Sequence, residues 1–278
     1  MPTFPNRFRP VLLLSLTVIA LGALLRGVLW WQFGRAAEIS AMALPALLGA
    51  GALNDVVVSL YLFAPLSLYL LLMPDRWFRS AAGRLLLRAG MFLSVFGLIY
   101  LAVLEYYFFE EFNARLNLVA FDYLMYPHEV FVDIWESYPV VTVLLGSLLS
   151  SALVLLLMRR PLARTLATAS ALRQRSRYFA VHALLLVLAV VGFSTDSLAR
   201  FSNRVGNEIA SNGVSSFFRA ARTSDIDYAA YYETGNTAAN LRLLARDLGA
   251  AEGSSHASLR VDSTAASRPI RTVWASST

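Results

Sequence analysis

Five stretches of the chain are runs of apolar residues, separated by segments in which charged and aromatic residues concentrate. A helix needs about 20 predominantly apolar residues to cross roughly 30 Å of hydrocarbon, and each run reaches or approaches that length. The pattern predicts an all-α polytopic membrane protein with a five-helix transmembrane domain in residues 1–193. The predicted spans are about 11–31, 56–73, 89–107, 140–158 and 178–193.

Composition supports the same class. The 278 residues are 57% hydrophobic and only 15% charged, with a mean hydropathy of +0.56, whereas soluble domains have about 25% charged residues. There is no cysteine, which excludes disulfides and thiolate metal sites. The first apolar run is too long for a cleaved signal peptide, and no small-x-small cleavage site follows it, so we interpret it as a retained helix.

Arginine placement predicts the orientation. All basic residues are arginine, and they concentrate in the N-terminal segment and in alternate connectors, whereas the other two connectors hold only Arg35 and Arg115. Cytoplasmic loops of membrane proteins carry the excess of positive residues. We therefore expect a multi-pass protein of the cell membrane with a cytoplasmic N-terminus and an extracytoplasmic C-terminus. The arginines on the predicted cytoplasmic side are Arg7, Arg9, Arg76, Arg79, Arg84, Arg88, Arg159, Arg160, Arg164, Arg173, Arg175 and Arg177.

The net charge of +6 is explained by these loops, which would face anionic lipid. Membrane lipids are therefore the expected partners, and nucleic acid is not.

From residue 194 the chain becomes polar. We predict an extracytoplasmic helical linker over 194–250, with helices at Asn207–Arg222 and Thr237–Leu248. Residues 251–278, rich in Ser, Ala, Thr and Gly, are expected to form a flexible tail.

Three ionisable residues lie in or at the ends of predicted spans: Arg26, Asp55 and Glu105. Burying charge in lipid is costly, so such residues are candidates for function. A structural interpretation is also open, in which Arg26 pairs with Asp55 or Glu105, or extends toward the outer surface. His182 lies near the inner end of the fifth span, where a lone histidine is typical of packing rather than of a ligand.

Motifs for catalysis are lacking. The three histidines, His128, His182 and His256, fall in different regions, and the chain has no GxSxG, HExxH or GxxxxGK pattern. We therefore predict no catalytic, cofactor-binding or metal-binding residue in this chain.

Two segments carry a family resemblance. The outer loop, 107–139, contains FFEEFNARLNLVAFDYLMYPHEVFVDIWESYP, and the tail contains NRVGNEIASNGVSSFFRAARTSDIDYAAYY. Both resemble segments of the lipoteichoic acid synthase family, the sulfatase-like phosphoglycerol transferases, and five helices followed by an exported tail is similar to the layout of that family. The resemblance covers about the third span to residue 250.

The resemblance implies transfer of phosphoglycerol, or a related phospho-headgroup, from a membrane lipid to a glycan or lipid acceptor. It also implies an extracytoplasmic alkaline-phosphatase-like domain with a threonine nucleophile and a divalent manganese or magnesium ion. No position among the 278 residues matches that nucleophile or those ligands. The expectation is an anchor region whose catalytic domain is separately encoded or lost, and which is inactive alone.

The outer loop offers polar groups for a headgroup or for docking the exported domain: Arg115, Asn117, Asp122, Tyr123 and Glu129. The alternative is that they cap helices and hold the loop together. Two other functions stay open for the chain. One is a stand-alone, non-catalytic membrane protein that binds a partner or lipid. The other is a small transporter, which the absence of an inverted repeat disfavours.

The arginine asymmetry makes a topology prediction. An alkaline phosphatase reporter, which is active only outside the cytoplasm, will be active when fused after residue 223 and inactive when fused after residue 168. Green fluorescent protein at the same two positions serves as the control and will show the opposite pattern. An active phosphatase at residue 168 would contradict the orientation.

Overall fold

The structure is a computed structural model that describes residues 6–124, 127–192 and 201–223. Every regular element in these ranges is helical, which confirms the all-α fold. Five helices among the described residues are long and apolar enough to cross a membrane. They are α1, Arg9–Leu29, continued by a π-helical turn at Trp30–Gly34; α2, Leu44–Leu62, preceded by a 3-10 turn at Ala41–Ala43; α5, Ala81–Phe112; α8, Val140–Ala167; and α9, Leu172–Gly192.

The second span differs from the sequence prediction of 56–73. Helix α2 begins at Leu44, breaks at Phe63, and is followed by α3, Ala64–Leu72, and the short α4, Asp75–Phe78. Pro65 lies in the first turn of α3. Proline is tolerated there because the N–H groups of a first turn have no partner within the helix. The span that is long enough to cross a membrane is therefore 41–62, and the predicted segment straddles the break.

His182 of α9 connects the two sides of this break. Its Nε2 lies 3.1 Å from the Leu60 carbonyl oxygen, and its Nδ1 lies 3.3 Å from the Ser67 hydroxyl. Because the carbonyl can only accept, Nε2 is the donor to Leu60. The residue is a packed histidine that joins α9 to α2 and α3, in agreement with the interpretation from sequence.

Helix α1 lies centrally, packed against α2, α5 and α8, while α9 packs against α2 and α3. The main apolar core runs along α1 and α5 and includes Leu14, Met91 and Val95. Helices α8 and α9 turn apolar side chains outward, such as Leu149 and Val191. Exposed leucines and valines over whole helix faces are expected where the surrounding solvent is lipid.

One end of the bundle, which we call the arginine end, contains residues 6–9, 73–88 and 159–177. There Arg7 is buried and donates from Nε to the Leu70 carbonyl at 2.8 Å. Its guanidinium also pairs with Asp75, whose carboxylate lies 2.9 Å from Arg175. Burial lowers the pKa of Arg7, Arg175 adds to this effect and Asp75 opposes it. Asp75 thus ties the N-terminal segment to α9.

The opposite end, the tail end, carries residues 113–139 and the segment 201–223. Helix α5 is followed by Asn113, whose φ of 49° is the left-handed conformation common at helix C-termini. The loop then forms α6, Leu118–Asp122, and α7, Pro127–Ser137.

The predicted tail helix Asn207–Arg222 is in fact two helices, α10, Arg204–Ala210, and α11, Gly213–Thr223. The former packs on α1 and α2, and the latter on α2 and α6. The predicted helix Thr237–Leu248, most of the linker 194–250, and the tail 251–278 lie outside the described residues.

Candidate functional site

A buried ion pair joins α1 to α2 at the tail end. Arg26 Nη1 lies 2.7 Å from Asp55 Oδ2, and Nη2 lies 2.8 Å from Oδ1. Both side chains are almost fully buried, at 1% and 0% exposure. Two parallel N–H to oxygen bonds form the strongest geometry that arginine makes with a carboxylate. Of the two partners that the sequence left open for Arg26, the structure shows Asp55.

Two glycines make room for this pair. Gly51 precedes Asp55 by one turn of α2, and a Cβ there would overlap the guanidinium of Arg26. Gly22 precedes Arg26 by one turn of α1, and a Cβ there would overlap the carboxylate of Asp55. Small residues let transmembrane helices approach closely. Here they let each helix accept the charged group of the other.

A second buried pair lies beside the first. Glu105 of α5 pairs with Arg115 from the loop after α5. Burial lowers the pKa of Arg115, and Glu105 opposes that effect. Arginine nevertheless remains protonated in proteins. Gly213, at the start of α11, provides the space for Glu105, since a Cβ there would overlap its carboxylate. We call Arg26, Asp55, Glu105 and Arg115 the charge cluster.

The cluster holds the polypeptide backbone of the tail segment. Arg115 donates from Nε to the Glu208 carbonyl at 3.2 Å and from Nη2 to the Ile209 carbonyl at 3.1 Å. Arg26 Nη2 lies 3.2 Å from the Ser211 carbonyl. These carbonyls lie in the last turn of α10 and at its C-cap residue Ser211, and that of Glu208 also accepts from the N–H and hydroxyl of Ser211. Cations are favoured at this end of a helix.

Three further polar contacts complete the attachment. Asn212 Nδ2 donates to Asp55 Oδ1 at 2.8 Å, and its Oδ1 accepts from the Val214 N–H that opens α11. The backbone N–H of Arg115 donates to Glu208 Oε2 at 2.9 Å. Asn212 therefore lies at the break between α10 and α11, where its side chain bonds both to Asp55 of the charge cluster and to the first turn of α11.

The chemistry of the cluster is structural. It contains two arginines and two carboxylates, so its formal charges cancel. The adjoining cavity, lined in part by Arg26, Glu105 and Arg115, measures about 40 Å³, whereas small-molecule sites are typically about 300–1,000 Å³. A cavity of this size admits water but no lipid headgroup. The geometry gives no support to a transport path through Arg26, Asp55 and Glu105.

The other predicted loop residues do not join the cluster. Asn117 caps α6, with Oδ1 accepting from the Val119 N–H at 2.9 Å. The Tyr123 ring packs against Phe112, with centroids 6.4 Å apart, while Asp122 and Glu129 are exposed. Of the five predicted loop residues, only Arg115 belongs to the charge cluster.

Sequence reasoning missed Glu208, Asn212 and the three glycines. A signal was present, since Gly22 and Gly51 each stand four residues before a charged residue within a span.

A divalent metal finds no suitable ligands in the part of the chain that the structure describes, where no group of three histidine, cysteine, aspartate or glutamate side chains converges. His128 is exposed on α7, His182 is engaged with α2 and α3, and His256 lies outside the described residues.

Comparison of the chain with protein-family models, with curated proteins and with solved structures finds no match.

The close contact between Gly51 and Arg26 predicts that two alanine substitutions in α2 will affect stability differently. Gly51→Ala will displace the guanidinium from Asp55 and lower the free energy of unfolding in detergent by about 1–3 kcal/mol, the usual cost of overpacking. Gly49→Ala is the matched control, because no neighbouring helix and no side chain beyond its adjacent residues lies within 4 Å of its added Cβ. It will leave stability unchanged or raise it by up to about 1 kcal/mol. Equal effects of the two substitutions would contradict the packing described here.

Proposed function

We propose that this chain is the membrane-anchor region of a phosphoglycerol-transferase-type enzyme. In this proposal it holds an extracytoplasmic catalytic domain, which is not among these 278 residues, at the surface of the cell membrane. The observation that supports it is the attachment of residues 201–223 to the end of the bundle through the charge cluster. The family resemblance of the same segment supplies the reaction class.

The attachment is a tertiary one rather than a consequence of chain connectivity. Ser211 and Arg26 are 185 positions apart, and Ile209 and Arg115 are 94 apart. Ile209 is fully buried in an apolar cluster with Leu29 and Phe109. Apolar burial and buried hydrogen bonds together fix the segment, because both would be lost if α10 separated from the bundle.

A fixed segment suits an anchor for surface chemistry. A donor lipid presents its headgroup at the membrane surface, and a tethered domain meets it at a high effective concentration. A rigid starting point at residues 201–223 narrows the heights and orientations that a following domain samples. No residue of this chain takes part in the transfer step, and the nucleophile and the manganese or magnesium ion belong to the catalytic domain.

The orientation in this proposal follows from charge. In the described residues the arginine end has twelve arginines and one carboxylate, Asp75, whereas loop 107–139 at the tail end is rich in acids. Under the positive-inside rule, the arginine end faces the cytoplasm and the tail end faces outward. The segment 201–223 would then lie on the side where lipid-linked glycan chemistry of this class takes place.

A second candidate function has its own supporting observation. Helix α7 exposes Phe131 and Trp135, at 60% and 51%, with their rings stacked at a centroid distance of 5.8 Å. An exposed aromatic face next to a bundle end is typical of an interfacial helix or of a binding surface. It favours a stand-alone membrane protein that binds a partner or lipid through α7.

The attachment can be tested by limited proteolysis. Arg115→Gln will remove the guanidinium donors to the Glu208 and Ile209 carbonyls and so release α10 from the bundle. Trypsin will then cleave after Arg204 severalfold faster than in the unaltered chain. Arg35→Gln is the control, because Arg35 is an exposed tail-end arginine stacked on Trp31 at 4.3 Å. Unchanged cleavage in the Arg115 variant would show that the cluster does not hold the segment.

The two candidate functions predict different partners. For the anchor, crosslinking in the native membrane followed by purification will recover an alkaline-phosphatase-like protein or domain, and Arg115→Gln will reduce its recovery. For the stand-alone protein, recovery of the partner will depend on Phe131 and Trp135 and not on Arg115. The purified chain in vesicles of phosphatidylglycerol with manganese will transfer no phosphoglycerol. Transfer by the chain alone would overturn the anchor proposal.

A further inference from the structure

A groove between α5 and α8 opens at the arginine end of the bundle. It measures about 370 Å³ and contains no acidic residue. Its lining comes from one face of each helix: Arg88 and Phe92 from α5, and Ala152, Leu155, Leu156, Arg159 and Leu162 from α8.

The two arginines stand at the same level of the bundle. Helices α5 and α8 pack against each other, and the first part of α5 lines the same groove as the last part of α8. Arg88 is near the start of α5 and Arg159 is near the end of α8, so both belong to the arginine end. Phe92 and Leu155 follow one turn further into the span. The groove therefore has two cations at its mouth and an apolar floor.

The cations at the mouth are available for an anion. Neither Arg88 nor Arg159 forms an ion pair with a carboxylate of the described residues. Asp75, the one described carboxylate at this end, is already bound by Arg7 and Arg175. Neighbouring Arg84 donates to the Arg79 carbonyl at 2.9 Å and adds to the positive charge beside the groove. Both Arg88 and Arg159 are exposed.

We propose that this groove binds an anionic phospholipid, with its phosphate between Arg88 and Arg159 and an acyl chain along Phe92, Leu155 and Leu156. Arginine matches the geometry of phosphate oxygens, and basic pockets between transmembrane helices bind anionic headgroups. The apolar floor selects a lipid over a free anion, because only a lipid covers both the cations and the apolar residues. The site is separate from the charge cluster and does not depend on the proposed function.

Binding can be measured by native mass spectrometry of the full chain in detergent, titrated with phosphatidylglycerol or phosphatidylcholine of the same chain length. Phosphatidylglycerol will bind more tightly, and its affinity will fall with added salt. The double substitution Arg88→Gln with Arg159→Gln will weaken the binding of phosphatidylglycerol by about tenfold or more, because each arginine near the surface adds to the attraction for an anionic lipid. Ala152→Trp will also weaken binding, because it fills the groove while keeping both arginines.

The charge-matched control is Arg160→Gln with Arg173→Gln, which removes two exposed arginines from the same end but none from the groove. An equal loss in this control would show diffuse attraction rather than a site, and would overturn the proposal. Equal affinity for phosphatidylcholine would overturn it as well. Competition by glycerol phosphate at concentrations similar to those of the lipid would show a free-anion site and overturn the lipid assignment. Circular dichroism will confirm that each variant is folded.

Discussion

The tail end of this bundle is organised by the requirement that the Arg26 charge be neutralised inside a set of apolar helices. An isolated guanidinium in such surroundings is costly, and a buried pair is stable only with good geometry and further hydrogen bonds. Asp55 provides the geometry, Gly22 and Gly51 provide the space, and the Ser211 carbonyl takes a further donor. Removing the Asp55 carboxylate would leave the Arg26 charge buried without its partner.

That requirement also shapes the segment after the fifth span. Helix α10 ends where its last carbonyls meet the guanidinium groups of Arg26 and Arg115, and α11 begins where Asn212 caps it. In a continuous helix those carbonyls would also accept backbone N–H groups of the next turn, and the guanidinium groups would share them. The break is therefore the feature that connects the segment to the bundle. Ile209 adds apolar burial at the same place.

The two ends of the bundle use arginine in opposite ways. At the tail end, Arg26 and Arg115 are buried, paired with carboxylates, and closed to ligands larger than water. At the arginine end, one carboxylate serves Arg7 and Arg175, while Arg88 and Arg159 stand exposed at the mouth of an apolar groove. The first arrangement suits a permanent attachment within the chain. The second leaves charge for molecules of the surrounding membrane.

The sequence by itself determined the helical class, the five apolar segments and the difference in charge between the ends, because hydropathy and charge are read locally. It also identified Arg26, Asp55, Glu105 and Arg115 as unusual. Only the tertiary structure decided that Arg26 pairs with Asp55 and Arg115 with Glu105, that α2 breaks at Phe63, and that the tail helix divides at Asn212. Those outcomes depend on which side chains meet between helices distant in sequence, and a local pattern contains no such information.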